Sequence, residues 1–174
     1  MAKQNINFDY FWRDYNEILP DDAYPVGVDT LLYTDVDVGL ASVEEIPGVY
    51  PTAIRPGKTV VVPIDRRREA SKFKQILLYT GSKQPERLKW MTSGAALLSS
   101  IPKSNHLILA GIEGRNRLYI GRQRDQGEIV IGKILTDDVN NVLMWYANDH
   151  TEASVSTYEI LTYDTSVNVD FDIK

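Results

Sequence analysis

Cysteine occurs nowhere in the 174 residues. Its absence removes disulfides, thiolate nucleophiles and cysteine-ligated zinc or iron–sulfur centres. Histidine is nearly as scarce. His106 and His150 are the only two, and neither stands at the spacing of a metal site or of a Ser/His/Asp constellation. No apolar run approaches the roughly 20 residues that a membrane-spanning helix needs. The start, Met1-Ala-Lys-Gln-Asn-Ile-Asn7, is polar and offers nothing to a secretion signal. No Asn-x-Ser/Thr acceptor for glycosylation is present. The expectation is a cytoplasmic protein without a membrane span, exported, if at all, by a route that uses no signal peptide.

A basic block is also lacking. The net charge is −5 and is spread along the chain, whereas a nucleic-acid protein needs a face that neutralises phosphates. The one basic run, Arg66-Arg67-Arg68, meets Glu69 at once and reads as a solvated turn. Gly-rich phosphate loops are missing, and no pair of carboxylates stands out for glycoside cleavage. Asp35 and Asp37 alternate with valines, but no calcium loop with a closing Glu follows them. That stretch reads as a half-exposed strand. The chain is therefore expected to be no enzyme, with no catalytic residue, no cofactor and no metal.

What the chain does have is apolar content, 43% of its residues, enough for one substantial core. Phe8, Tyr10, Phe11, Trp12 and Tyr15 crowd the N-terminal stretch and are expected to pack a core and close a sheet edge. Thr59–Ile64 and Phe73–Tyr79 lie between breakers and read as strands, with a helix over Arg67–Leu78 as the alternative for the latter. Further on, Leu107–Ala110, Arg117–Arg122, Glu128–Leu135, Val142–Ala147 and Val155–Tyr163 are short strands between Gly, Asp and Asn turns. Such spacing is that of an antiparallel sandwich or barrel. The most regular part is Arg117–Leu135, a hairpin expected to break at Gly121, turn through Gly127 and end in a Gly132-Lys133 step. The tail from Asp164 to Lys174 alternates and predicts an extra strand.

The chain also repeats itself. The first half carries Trp12, Leu19-Pro20, Gly27-x-Asp29, Pro56-Gly57-Lys58 and Gln75-Ile-Leu77. The second carries Trp90, Ile101-Pro102, Gly111-x-Glu113, Ile131-Gly132-Lys133 and Tyr158-Glu-Ile-Leu161. Each unit is too small to bury much alone, so two units closing over one core are expected.

In these landmarks, above all Leu118-Tyr-Ile-Gly-Arg122, Gly132-Lys133 and Tyr158-Glu-Ile-Leu161, the chain resembles the DM-nine repeat family. The resemblance implies an all-β fold of two tandem, intertwined repeats with pseudo-twofold symmetry. The first spans residues 8–85 and the second 86–163, with 164–174 as an extension. It also implies non-catalytic binding of mannose-containing glycans, in the manner of innate pattern recognition. The implied site in each unit is the acid of Gly-x-acid with the lysine of Gly-Lys: Asp29 with Lys58, and Glu113 with Lys133. A carboxylate facing an ammonium both accepts from and donates to vicinal hydroxyls. Tyr119 and Arg122 are candidates to line the second site, with the core as the favoured place for Tyr119. The first unit has Leu-Leu-Tyr33-Thr where the second has Tyr-Ile-Gly-Arg, so binding is expected in the second half. A homodimer presenting several weak sites would suit such a protein. The competing expectation is a structural or protein-interaction role on the same fold.

Overall fold

β-branched and aromatic side chains fill the stretches between turn residues, and they form strands throughout. The computed structural model describes residues 9–28, 34–70, 73–79, 87–94, 98–136, 142–148 and 151–166. The first strands are β1 (Tyr10–Asp14), β2 (Pro25–Val28), β3 (Asp35–Val43), β4 (Ile46–Ile54), β5 (Val61–Ile64), β6 (Arg66–Glu69) and β7 (Lys74–Tyr79). There follow β8 (Leu88–Gly94), β9 (Asn105–Leu107), β10 (Ile112–Glu113), β11 (Asn116–Asp125) and β12 (Glu128–Leu135). The last are β13 (Met144–Ala147), β14 (Glu152–Val155) and β15 (Thr157–Asp164). Among the described residues the only helical element is a 3-10 turn at Leu98–Ser100. The protein is all-β, as its sequence predicts.

Thirteen strands join one antiparallel sheet whose main path runs β1-β7-β3-β4-β10-β11-β12-β13-β14, while β5 and β6 pair separately. β7 lies between β1 and β3. β15 pairs with β8, β9 and β11. β2 lies on β3. The link from early to late strands is β10, which pairs with β11 on one side and with Val49 of β4 on the other. Two backbone carbonyls tie the same regions together: Arg55 donates to Ile129 O at 2.6 Å, and Arg122 to Val26 O at 2.8 Å.

The hairpin Arg117–Leu135 forms, but not as its glycines suggest. β11 runs unbroken through Gly121 to Asp125, and the turn is Gln126-Gly127, both at positive φ. Two successive positive φ values give the turn a twist that matches the flanking strands. β12 likewise continues through Gly132 and Lys133 to Leu135. A Cβ on Gly132 would lie 2.2 Å from Trp145 O, and one on Gly121 would lie 2.7 Å from Met144 Sδ. Both glycines are there because β13 and its side chains approach closely, not to end a strand.

Three apolar clusters fill the interior. The first takes Tyr24, Val26, Val36, Val38 and Leu77 from the early strands and Ile120, Ile129, Ile131 and Leu161 from the late ones. The second is mostly early, around Tyr50, Ile54 and Ile76, with Leu118 added, and the third is late, around Ile134, Met144 and Ile160. β12 is buried on both faces, Ile129 and Ile131 against the first cluster and Val130 and Ile134 against the third. Its near-continuous apolar sequence follows from that.

Several expectations are corrected. β3 is not half-exposed: Asp37 is 2% accessible, because Val36, Val38 and Leu40 pack one cluster and Ala41 on the other face packs another. Arg66–Glu69 is a strand paired with β5, not a turn. No helix covers the described part of Arg67–Leu78, where Lys74–Tyr79 is strand. At the N-terminus Trp12 and Tyr10 pack on the first cluster while Phe11 is 41% exposed. Phe8 and the tail from Val167 lie outside the described residues.

Candidate functional site

Glu113 ends β10, a two-residue strand held between β4 and β11. Gly111 makes that insertion feasible. Its φ is +140°, and a Cβ there would sit 2.0 Å from Val49 O, so no side chain fits where β10 approaches β4. Lys133 lies in the middle of β12, opposite Ile120 and Trp145. It shares its face with Ile131 and Leu135, so its stem runs through apolar surroundings. A lysine there needs a partner for its ammonium, since an isolated buried charge is costly.

It has two. Lys133 Nζ stands 2.7 Å from Glu113 Oε1 and 2.9 Å from Glu152 Oε1. The Tyr50 ring lies below it, 5.5 Å from Nζ to centroid, in reach of a cation–π attraction. The side chains grade in exposure from Lys133 (5%) through Glu152 (14%) to Glu113 (30%). Burial pushes the Tyr50 hydroxyl above its ordinary pKa, and the charges of Glu113 and Glu152 push the same way. One ammonium against two carboxylates leaves the cluster with a net charge of −1.

Glu152 and Tyr50 carry no sequence signal comparable to the Gly-x-acid and Gly-Lys landmarks. Glu152 opens β14, and only the ladder β12-β13-β14, with Lys133 opposite Trp145 and Trp145 opposite Ser154, brings it round to the lysine. Tyr50 arrives from β4, far earlier in the chain. A count of strands does not reveal such neighbours.

The remaining sequence-designated residues are elsewhere. Arg122 is engaged by its own set of partners. It meets Glu159 through Nε (2.7 Å) and Nη2 (3.2 Å), donates from Nη1 to Val26 O, and lies 4.5 Å over the Trp90 ring. It shares no partner with Lys133. Tyr119 alternates with Leu118 and Ile120 and packs against the third cluster, on the sheet face away from Lys133. Lys58 is exposed in a turn after β4, where its N–H donates to Arg55 O at 3.0 Å. Among the described residues it has no acidic partner at ion-pair distance. Asp29 lies outside the described residues.

Among the described residues no three His, Cys, Asp or Glu side chains converge as metal ligands, and no helix is long and apolar enough to cross a membrane. No family model matches the chain, and no curated protein matches it in sequence. The chemistry of the site therefore rests on its geometry. A fixed ammonium beside two carboxylates offers donors and acceptors a few ångströms apart.

Proposed function

We propose that the chain is a non-catalytic carbohydrate-recognition protein for mannose-type glycans, built from two tandem, intertwined repeats related by a pseudo-twofold axis. The observation that carries the functional part is the 2.7 Å contact of Lys133 with Glu113, two residues from separate strands held by glycine-dependent close approaches. Vicinal hydroxyls suit such a pair, because one can donate to the carboxylate while its neighbour accepts from the ammonium.

Strand register supports the repeat reading. In the early half Gly39 stands opposite Thr52 on one side and Ile76 on the other. In the late half Gly121 stands opposite Gly132 and Ile160. The pairs β1/β7 and β8/β15 correspond, as do β5/β6 and β13/β14. Aligned this way, the early counterpart of Lys133 is Ala53, and Lys58 lies five residues farther on, in the turn. The proposed site is accordingly the late one.

Calorimetric titration with mannose tests the reading. Binding is expected in the wild type and in Lys58→Ala, and is expected to disappear in Glu113→Gln and Lys133→Met when circular dichroism shows both variants folded. Absence of heat at millimolar sugar would sink it. A second reading, docking of a protein partner on the same fold, is favoured by Ile112, the chain neighbour of Glu113, and by Leu109, each about half exposed. Loss of partner capture in Ile112→Ser without loss of mannose binding would separate the two.

A further inference from the structure

Two carboxylates on one lysine are more than its charge requires, and they are not equivalent. Glu113 is the more open and makes the hydrogen bond to Nζ. Glu152 is more enclosed. Its Oε1 stands 2.9 Å from Nζ and meets it as an ion pair. If Glu113 were alone with Lys133, the two would form a closed neutral pair that a sugar hydroxyl would have to break. With Glu152 balancing the ammonium from the enclosed side, Glu113 becomes the surplus acceptor on the open side. The whole cluster then carries one negative charge in a partly desolvated place, where Coulomb interactions weigh more than in water.

We propose that Glu152 is the positioning and selectivity residue of this site: it holds the Lys133 ammonium and biases the cluster toward neutral or cationic polyols and against anionic ones. The inference rests on the carbohydrate reading of the cluster. It reaches beyond that reading by assigning a role to a residue on β14 and by setting the sign of charge that a bound sugar tolerates. Glu152 acts through Lys133 and through its field, not by touching the ligand.

The test compares mannose with mannosamine, which carries an ammonium, and mannuronate, which carries a carboxylate. All three are titrated into the full chain, into Glu152→Gln and into Glu152→Asp. In the wild type, mannosamine is expected to bind at least as tightly as mannose, and mannuronate roughly threefold to tenfold more weakly, for charges several ångströms apart at an intermediate dielectric. Glu152→Gln, nearly identical in shape, is expected to bring the three sugars within about twofold of one another and to weaken mannose itself. Glu152→Asp keeps the charge and is expected to restore the ranking. An unchanged ranking in Glu152→Gln overturns the proposal. So does mannuronate binding as tightly as mannose in the wild type. A folded Glu152→Asp that behaves like Glu152→Gln would reduce Glu152 to packing. Silence with all three sugars in the wild type removes the carbohydrate reading, and this role with it.

Discussion

Asp37 and Asp164 are both enclosed aspartates, and they respond to pH in opposite directions. Burial, with the nearby charge of Asp35 added, pushes Asp37 up to about 7. Tyr15, whose enclosed hydroxyl is also without a hydrogen-bond partner, feels the Asp37 charge. Unfolded, Asp37 would lose its proton near the ordinary carboxylate pKa; folded, it keeps it to about 7. Between those values the folded state binds more protons, so stability falls as pH rises, by a few kcal/mol in all. Asp37→Asn is expected to flatten this fall, seen as melting temperatures that no longer drop between pH 5 and pH 8. A steeper drop in the variant would contradict the argument. Asp164 is held down at about 2 by hydrogen bonds from Lys89, at 2.8 Å, and Ser166. Its contribution is present above the ordinary carboxylate pKa and is lost as pH falls through about 2. Lys89 is nearly half exposed, so solvent screening limits the effect to about 1 kcal/mol. Lys89→Met is expected to move the acid-unfolding midpoint modestly upward in pH. In the sequence the two aspartates look alike; only the packing around them separates their behaviour.

At the level of the strand and hairpin, glycine is the most ambiguous letter in this chain. Gly127 serves a turn, as its neighbours suggest. Gly121 and Gly132 resemble turn markers equally well but sit inside ladders, because another strand needs their empty side. A sequence does not distinguish a glycine kept for its φ from one kept for its missing Cβ. Gly132→Ala tests the distinction. The added carbon meets a backbone carbonyl at 2.2 Å, which no rotamer change relieves, so a loss of about 2–3 kcal/mol is expected from overpacking. Urea denaturation measures it, and a loss below about 0.5 kcal/mol, the size of an ordinary surface substitution, would mean that β13 yields easily. The strands themselves were largely legible: alternation and breakers located Glu128–Leu135, Phe73–Tyr79 and Val155–Tyr163 to within a few residues. Arg66–Glu69 was not, since three arginines carry no β signal and their ladder is set by β5 alone.

Across the molecule, the sequence indicates an all-β chain, and its family resemblance a Glu113–Lys133 pair, but neither tells how closely the early and late parts depend on each other. The first cluster draws on both, β10 is wedged against β4, and Tyr50 supplies the floor beneath Lys133. Residues 86–163 expressed alone are therefore expected to show no cooperative unfolding transition, lacking Tyr24, Val26, Val36 and Val38 as packing partners. A sharp melt from that fragment would show that the late half is self-sufficient. The same register that places Ala53 opposite Val38 leads to an expected calorimetric stoichiometry of one sugar per chain. A value of two would return Lys58 and Asp29 to consideration.

The β4–β10 contact also bears on the order of events as the chain leaves a ribosome. Val49 finds its partner only after Ile112 has emerged, and Arg55 finds its acceptor only at Ile129. Until then β4 carries an unpaired edge, the kind of surface on which strands of other chains can add. Ladders between residues so far apart close slowly. The nascent early half must therefore stay shielded, by its own hairpins or by a chaperone, for as long as synthesis of roughly the next 60 to 80 residues takes.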